Sequence, residues 1–152
     1  MNKNNACNPL LLKNQLCFPL YASARKIVAA YAPFLKKIGL TYAQYVTMMV
    51  LWEETVITMR DLGERLYLDS GTLTPVLKRL EALGYVKRYR KLEDERVVVV
   101  EITPQGTALR KTAEQVPYAM GCLLNQKGAL FTPEEVEDLR KKLYRILHAL
   151  EG

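Results

Sequence analysis

Apolar residues recur at helical intervals from about Leu10 to Lys37, with Leu16, Leu20, Ile27 and Tyr31 on one face and interruptions at Pro19 and Pro33. Gly39 closes that stretch. Thr41 then has the side chain to cap a helix from Tyr42 to about Glu54, whose Val46, Met49, Val50 and Trp52 supply apolar surface. Thr58 followed by Asp61 resembles a capping signature, with Asp in place of the usual Glu or Gln, and predicts a short helix from Met59 to about Leu66. Tyr67 and Leu68 make a tight connection. Asp69 or Ser70 caps the next helix, from Gly71 to Leu83, with Leu73, Leu77, Leu80 and Leu83 along one side and Gly84 where a left-handed C-terminal residue is wanted. Two helices of this size joined by a few residues form a helix-turn-helix.

The period then changes. Residues 85–90 partly alternate, residues 91–96 form a polar tip, and Val97 to Ile102 is strongly strand-forming, so a β-hairpin follows the second helix directly. Thr103-Pro104 starts another helix, with Pro at a position where its missing N–H costs nothing; the pattern carries to about Asn125, weakened by Pro117 and Gly121. Gly128 breaks the chain, and Thr132-Pro133-Glu134-Glu135 opens a last helix to about Leu150.

This order predicts a mainly α protein with a small β-hairpin wing: a winged helix-turn-helix whose N- and C-terminal helices form a dimerisation domain. The expected division is 1–40 for the N-terminal arm and helix, 41–103 for the DNA-binding domain and 104–152 for the C-terminal dimerisation helices. Leu139, Leu143, Ile146, Leu147 and Leu150 form a long stripe. It either completes a monomer core or packs against a second copy. The terminal helices are too many and too apolar for a small winged helix alone, which favours an intertwined homodimer.

At 152 residues the chain has room for one domain with a real core. No apolar run approaches the ~18 residues of a membrane span. The stretch from Met1 to Pro9 has a single lysine and no hydrophobic core before a cleavage site, so a cytoplasmic protein without membrane association is expected. Lys and Arg number 22 against 16 Asp and Glu, a modest excess whose placement matters more than its size. Lys78, Arg79, Lys87, Arg88, Arg90 and Lys91 fall together against the single acid Glu81. Charge alone fits a phosphate-binding surface or a solvated basic face equally well.

The three cysteines, Cys7, Cys17 and Cys122, are odd in number and widely spaced, which argues against a disulfide framework. There is no CxxC pair, and His148 is the one histidine. No zinc site, no cofactor and no conventional hydrolytic triad is therefore expected.

In a winged helix-turn-helix the second helix lies in the major groove with its N-terminal residues at the base edges. Here those residues are Asp69, Ser70, Thr72, Thr74 and Pro75: the hydroxyls can bond to bases or phosphates, and the Thr methyls and Pro75 can lie against thymine methyls. Lys78 and Arg79 follow one turn later, placed for phosphates or a guanine edge. At the wing tip Arg96 is the candidate for the adjacent minor groove, with Asp94 holding the loop in shape, and Lys91 is a second. Double-stranded operator DNA is the expected partner.

Cys17 sits between Leu16 and Phe18, the setting of a small buried hydrophobe. Pro19, however, either kinks a helix or begins one, and in the second case Cys17 lies at a helix N-terminus, where a thiolate is favoured. Tyr21, Tyr31, Tyr42 and Tyr45 add phenols that could hydrogen-bond it. The segment Asn14 to Ala22, NQLCFPLYA, resembles the reactive-cysteine segment of the organic hydroperoxide resistance repressors, a branch of the MarR family. The resemblance continues through Leu40 to Tyr45, Leu51 to Glu53, Gly63 to Pro75, Leu77 to Glu81 and Asp94-Glu95-Arg96, covering about residues 12 to 105.

That resemblance implies a peroxide switch. Cys17 is then the thiolate that organic hydroperoxides oxidise to a sulfenic acid, and Tyr31 and Tyr42 match the family tyrosines that hydrogen-bond it, one of them from the partner subunit. The family divides into members capped by a small cellular thiol and members with a resolving cysteine in the C-terminal helices. Cys122 occupies such a region, and its other reading is a residue packed between helices. Cys7 is a bystander or a rival resolving thiol. Two further readings compete: a MarR-type repressor released by a small aromatic ligand, with Cys17 inert, and a thiol peroxidase whose purpose is turnover. The missing CxxC motif and thioredoxin-like βαβ order count against the enzyme.

Overall fold

The computed structural model describes residues 8–129 and 131–150, so Cys7 lies outside the described residues. The chain divides into two compact units, Met1–Val116 and Pro117–Gly152. In the first, a 3-10 turn at Leu12–Asn14 precedes α1 (Cys17–Lys37), α2 (Tyr42–Glu54), β1 (Val56–Thr58), α3 (Met59–Leu66), α4 (Ser70–Ala82), β2 (Val86–Arg90), β3 (Val98–Ile102) and α5 (Pro104–Ala113). Then come α6 (Gln115–Gln126), which carries the division, and α7 (Pro133–Leu150). The strands form an antiparallel sheet in the order β1-β3-β2, with Arg88 opposite Val100 and Ile57 opposite Val100 from the other side. This is the winged helix-turn-helix architecture, mainly α with a small sheet.

Local chemistry sets the boundaries. Thr41 and Gln44 make a reciprocal capping box: Gln44 Oε1 accepts from Thr41 N at 2.8 Å and Thr41 Oγ1 from Gln44 N at 3.4 Å. Thr58 Oγ1 accepts from Asp61 N at 3.1 Å and opens α3. Gly84 ends the α4 segment at φ 76°, the left-handed position assigned to it.

Three features depart from the sequence reading. The first helix begins at Cys17 and not near Leu10, because Gln15 is extended after the 3-10 turn; Pro33 lies inside α1 without ending it. Strand β1 was not foreseen. It is three residues long and follows Thr55, whose φ of 54° and ψ of −43° turn the chain out of α2. A β-branched residue there is strained, and the Thr55 carbonyl is fixed by Ile102 N–H at 2.9 Å. Finally, the helix begun at Pro104 divides near Glu114 into α5 and α6.

The core of the first unit is built from Leu35 of α1, Met48 and Leu51 of α2, Leu62 of α3, Leu73, Leu77 and Leu80 of α4, and Val100 of β3. Met49, expected to supply apolar surface, is exposed, while its neighbours Met48 and Val50 are buried. Helix α5 comes close to the residue that leads into β2 through Gly106, where a Cβ would stand 2.2 Å from the Tyr85 carbonyl oxygen. Trp52 Nε1–H donates to the Gly106 carbonyl at 2.9 Å, tying α2 to α5. In α7 no residue is buried, and Leu139, Leu143, Ile146, Leu147 and Leu150 are all exposed. Among the described residues no helix is long and apolar enough to cross a membrane.

Candidate nucleic-acid interface and redox site

Asp69 is the N-cap of α4. Its carboxylate accepts from Thr72 N at 2.8 Å and from Thr72 Oγ1 at 2.9 Å, and these bonds, the backbone one foremost, hold its pKa below the usual carboxylate range. Thr74 Oγ1 donates to the Ser70 carbonyl at 2.6 Å and is half-buried. The hydroxyls of Thr72 and Thr74 are thus committed to the helix as donors and keep acceptor capacity outward. Pro75 is the sixth residue of α4, beyond the first turn whose N–H groups lack helical partners. The ring therefore removes the donor that the Gly71 carbonyl would take, and the helix continues regardless. With Leu73, Leu77 and Leu80 fully buried, helical spacing turns Gly71, Thr72, Pro75, Lys78 and Arg79 outward. Tyr67 holds the turn between α3 and α4 in the left-handed conformation at φ 55°.

The basic cluster is smaller than the sequence suggests. Lys87 pairs with Glu101 at 2.8 Å and Arg88 with Glu81 at 2.5 Å, and Arg88 is only partly exposed. These contacts hold both carboxylates below their ordinary pKa and raise Lys87. Glu101 lies outside the run counted for charge but opposite Lys87 in the β2–β3 register, so counting back from the hairpin tip would have found it. Lys78 and Arg79 have no ion-pair partner among the described residues, which leaves them as the free cations of α4.

The wing tip is bonded to itself. Lys91 N donates to the Val97 carbonyl and Val97 N to the Asp94 carbonyl, both at 2.9 Å, and the Arg90 guanidinium donates to the Glu95 carbonyl. Asp94 accepts from Arg96 N at 3.1 Å and from its Nε at 3.0 Å, and its pKa is lowered chiefly by that side chain. Arg96 is oriented by Asp94 yet almost wholly exposed, while Lys91 lies 4.0 Å from Glu93.

Cys17 is exposed and is the first residue of the 21-residue α1, with Pro19 two positions on. The helix therefore starts at the cysteine, one of the two arrangements Pro19 allowed. Tyr21 lies one turn further along, exposed, under the Arg25 guanidinium 5.3 Å from its ring centroid. Tyr31 and Tyr42 meet edge to face with centroids 5.2 Å apart, and Tyr45 lies 6.2 Å from Tyr31 and 6.3 Å from Trp52. Burial, then the neighbouring phenols, push Tyr31 and Tyr45 above the ordinary tyrosine pKa of 10.0. Cys17 and Tyr31 belong to one helix, and the interval from position 17 to position 31 amounts to about 21 Å of axial rise. The tyrosine pair of a chain is therefore remote from that chain's own Cys17.

Cys122 is a half-buried free thiol in α6. A cleft of about 530 Å³ opens beside the tyrosines, lined by Val28, Leu35, Lys36, Thr41, Tyr42 and Arg79 among others. Among the described residues no group of His, Cys, Asp and Glu could hold a metal ion.

Residues 29–112 match the family model described as transcriptional regulator SarA/Rot. The organic hydroperoxide resistance transcriptional regulator of Bacillus subtilis is 42% identical over 96% of this chain and 96% of its own length. AbfR of Staphylococcus epidermidis in its reduced, DNA-bound form is 33% identical, with a TM-score of 0.74 over 93% of this chain and 95% of that one. A cysteine-to-serine mutant of MarR from Escherichia coli, complexed with operator DNA, is 26% identical, with a TM-score of 0.76 over 97% of this chain and 99% of that one. These relatives are regulators and not enzymes. With α4 and the wing presented as described, the chain belongs to the MarR family of DNA-binding transcriptional regulators, in the branch of the organic hydroperoxide resistance regulators.

Proposed function

We propose that the reduced protein is a homodimeric repressor that binds double-stranded operator DNA and is released when an organic hydroperoxide oxidises Cys17. The observation that carries this reading is an exposed cysteine at the first position of α1 in a chain of this branch. The Cys17 thiolate attacks the distal peroxide oxygen; the O–O bond breaks, an alkoxide leaves and takes a proton as the alcohol, and the sulfur becomes a sulfenic acid. A second thiol then displaces water to form a disulfide. That thiol is Cys122 of the partner subunit, or a small cellular thiol in its place, and excess thiol reduces the disulfide and restores the repressor.

Homodimerisation is supported by the apolar residues left in water on α7 and by exposed Leu16, Phe18 and Ile27 around α1. The distance along α1 supports an arrangement in which Tyr31 and Tyr42 of one subunit hydrogen-bond the partner's Cys17, while Tyr21 stays beside its own. In the domain scheme, residues 41–103 read DNA and the flanking segments 1–40 and 104–152 dimerise. Ser70, Thr72, Thr74 and Pro75 face the major groove with Asp69 fixing the helix start; Lys78 and Arg79 take phosphates or a guanine edge; and Lys91 and Arg96, the latter held by Asp94, serve the wing. The two recognition helices of a dimer must lie about one DNA turn, roughly 34 Å, apart. A modest rotation of each winged domain on oxidation spoils that match.

The test is anisotropy of labelled DNA from upstream of the protein's own gene. Tight binding by the reduced protein, lost on adding cumene hydroperoxide and regained with dithiothreitol, is the expected result; Cys17→Ser should bind and stay bound. Binding indifferent to peroxide would overturn the switch. The cleft beside Tyr42 favours a second reading, release by a small aromatic ligand with Cys17 inert. In that case a ligand would free the Cys17→Ser protein as readily as the parent.

A further inference from the structure

We propose that Leu92 is a DNA-contacting residue, lying against the sugars of the minor groove beside Arg96. Leu92 is 98% exposed, the most exposed large apolar side chain among the described residues. The other strongly exposed ones lie mainly in the N-terminal arm, α1, α6 and α7, the segments assigned to dimerisation. Leu92 has no such surface around it. It stands alone at the tip of the hairpin between Lys91 and Glu93, and the loop is not free to fold it back. The bonds from Lys91 to Val97, from Val97 to Asp94 and from Arg90 to Glu95 hold the tip in one shape.

The charges of the tip leave an apolar contribution room to matter. Arg90, Lys91 and Arg96 are balanced by Glu93, Asp94 and Glu95, so the formal charge of residues 90–96 is zero. Much of the positive charge is also spent inside the loop, Arg96 on Asp94 and Lys91 near Glu93. Net attraction to phosphates therefore contributes little at the tip, unlike at Lys78 and Arg79 on α4. An arginine held out by its own carboxylate, with a bare leucine four positions before it, suits a narrow groove whose walls are sugar rings. Apolar side chains there exclude water and make van der Waals contact without reading a base code.

The inference rests on the reading that the wing enters the minor groove, and the experiment separates the two. Affinity for the upstream DNA is measured as a function of salt for the reduced parent, Leu92→Ser and Arg96→Ala. An exposed loop position has no core role, and unchanged thermal unfolding verifies that each variant folds. Leu92→Ser should weaken binding by about tenfold at every salt concentration and leave the slope of log K against log salt unchanged, because no ion is released at an apolar contact. Arg96→Ala should weaken binding and make that slope shallower, because it leaves the tip with a net negative charge beside the DNA. Leu92→Ser within twofold of the parent, with Arg96→Ala weakened, would overturn the role of Leu92 and leave the wing in the groove. If both variants bind like the parent, the wing itself does not touch DNA and both statements fall. A Leu92→Ser protein with an altered slope would show that the substitution disturbed neighbouring charges, and that too overturns the apolar contact.

Discussion

Replacing Gly106 with alanine is the sharpest probe of how the winged domain joins the helix that leaves it. The added methyl would lie 2.2 Å from the Tyr85 carbonyl oxygen and 2.8 Å from Ile102 Cγ1. A carbon and a carbonyl oxygen approach no closer than roughly 3.3 Å, so the first turn of α5 must retreat from the Tyr85 carbonyl by about 1 Å. That movement strains three bonds at once: Trp52 Nε1 to the Gly106 carbonyl at 2.9 Å, Thr103 N to the Tyr85 carbonyl at 3.0 Å, and Thr103 Oγ1 to the Gly84 carbonyl at 2.6 Å. Overpacking costs about 1–3 kcal/mol and a part-buried indole N–H left without an acceptor about 1–3 more. The helix preference of alanine over glycine returns about 1 kcal/mol. The net expectation is a loss of about 3 kcal/mol in urea unfolding followed by circular dichroism at fixed protein concentration. Gly121→Ala is the internal control, because nothing stands within 4 Å of its Cβ position and it lies inside α6. It should leave stability unchanged or raise it by up to about 1 kcal/mol. A Gly106→Ala protein within 0.5 kcal/mol of the parent would refute the steric argument.

Thr55→Gly removes a β-branched side chain from φ 54° and should raise stability by about 1 kcal/mol; a loss in the same urea assay would mean that the threonine side chain matters more than the backbone strain. Leu143→Glu places a charge in the exposed stripe of α7 and should convert a dimer to a monomer in light scattering, whereas an unchanged mass would remove α7 from the interface. Tyr31 and Tyr45 have raised pKa values in the folded state, so folding favours their protonated form. Their contribution is complete below about pH 10 and is lost as pH rises through the folded values. Absorbance titration of the native protein should show phenols ionising above the ordinary tyrosine, and Tyr31→Phe should remove one of them. Asp69 works in the opposite direction. Its folded pKa is depressed, so the cap of α4 is intact above about pH 4 and fails as pH falls further; Asp69→Asn should flatten that acid limb of a stability-against-pH curve.

The helix-turn-helix was legible because its signals are local. Thr58 and Asp69 cap the two helices with their own side chains, the leucines at 73, 77 and 80 recur at helical spacing, and Gly84 marks the end. The wing was legible because the run from Val97 to Ile102 admits little but a strand. What escaped depends on non-local partners. Strand β1 exists only because β3 offers an edge to its three residues, and no pattern that short signals itself. The size of the basic face was overestimated because Glu101 reaches Lys87 across the hairpin, not along the chain. At the redox site the tyrosines were identified by type, but their distance from Cys17 follows only once α1 is known to run unbroken from Cys17 past Pro19 to Tyr31.

Trp52 is the one tryptophan of the chain, and its indole sits where α2, α5 and the tyrosine cluster meet. Its emission therefore reports on that junction alone, without any introduced label. Tyr45 lies 6.3 Å from it and Tyr31 a further 6.2 Å on, so light absorbed by those phenols can pass to the indole by energy transfer. Exciting the tyrosines and watching the tryptophan turns the packing between α1 and α2 into an optical signal, available in the unmodified protein on and off DNA.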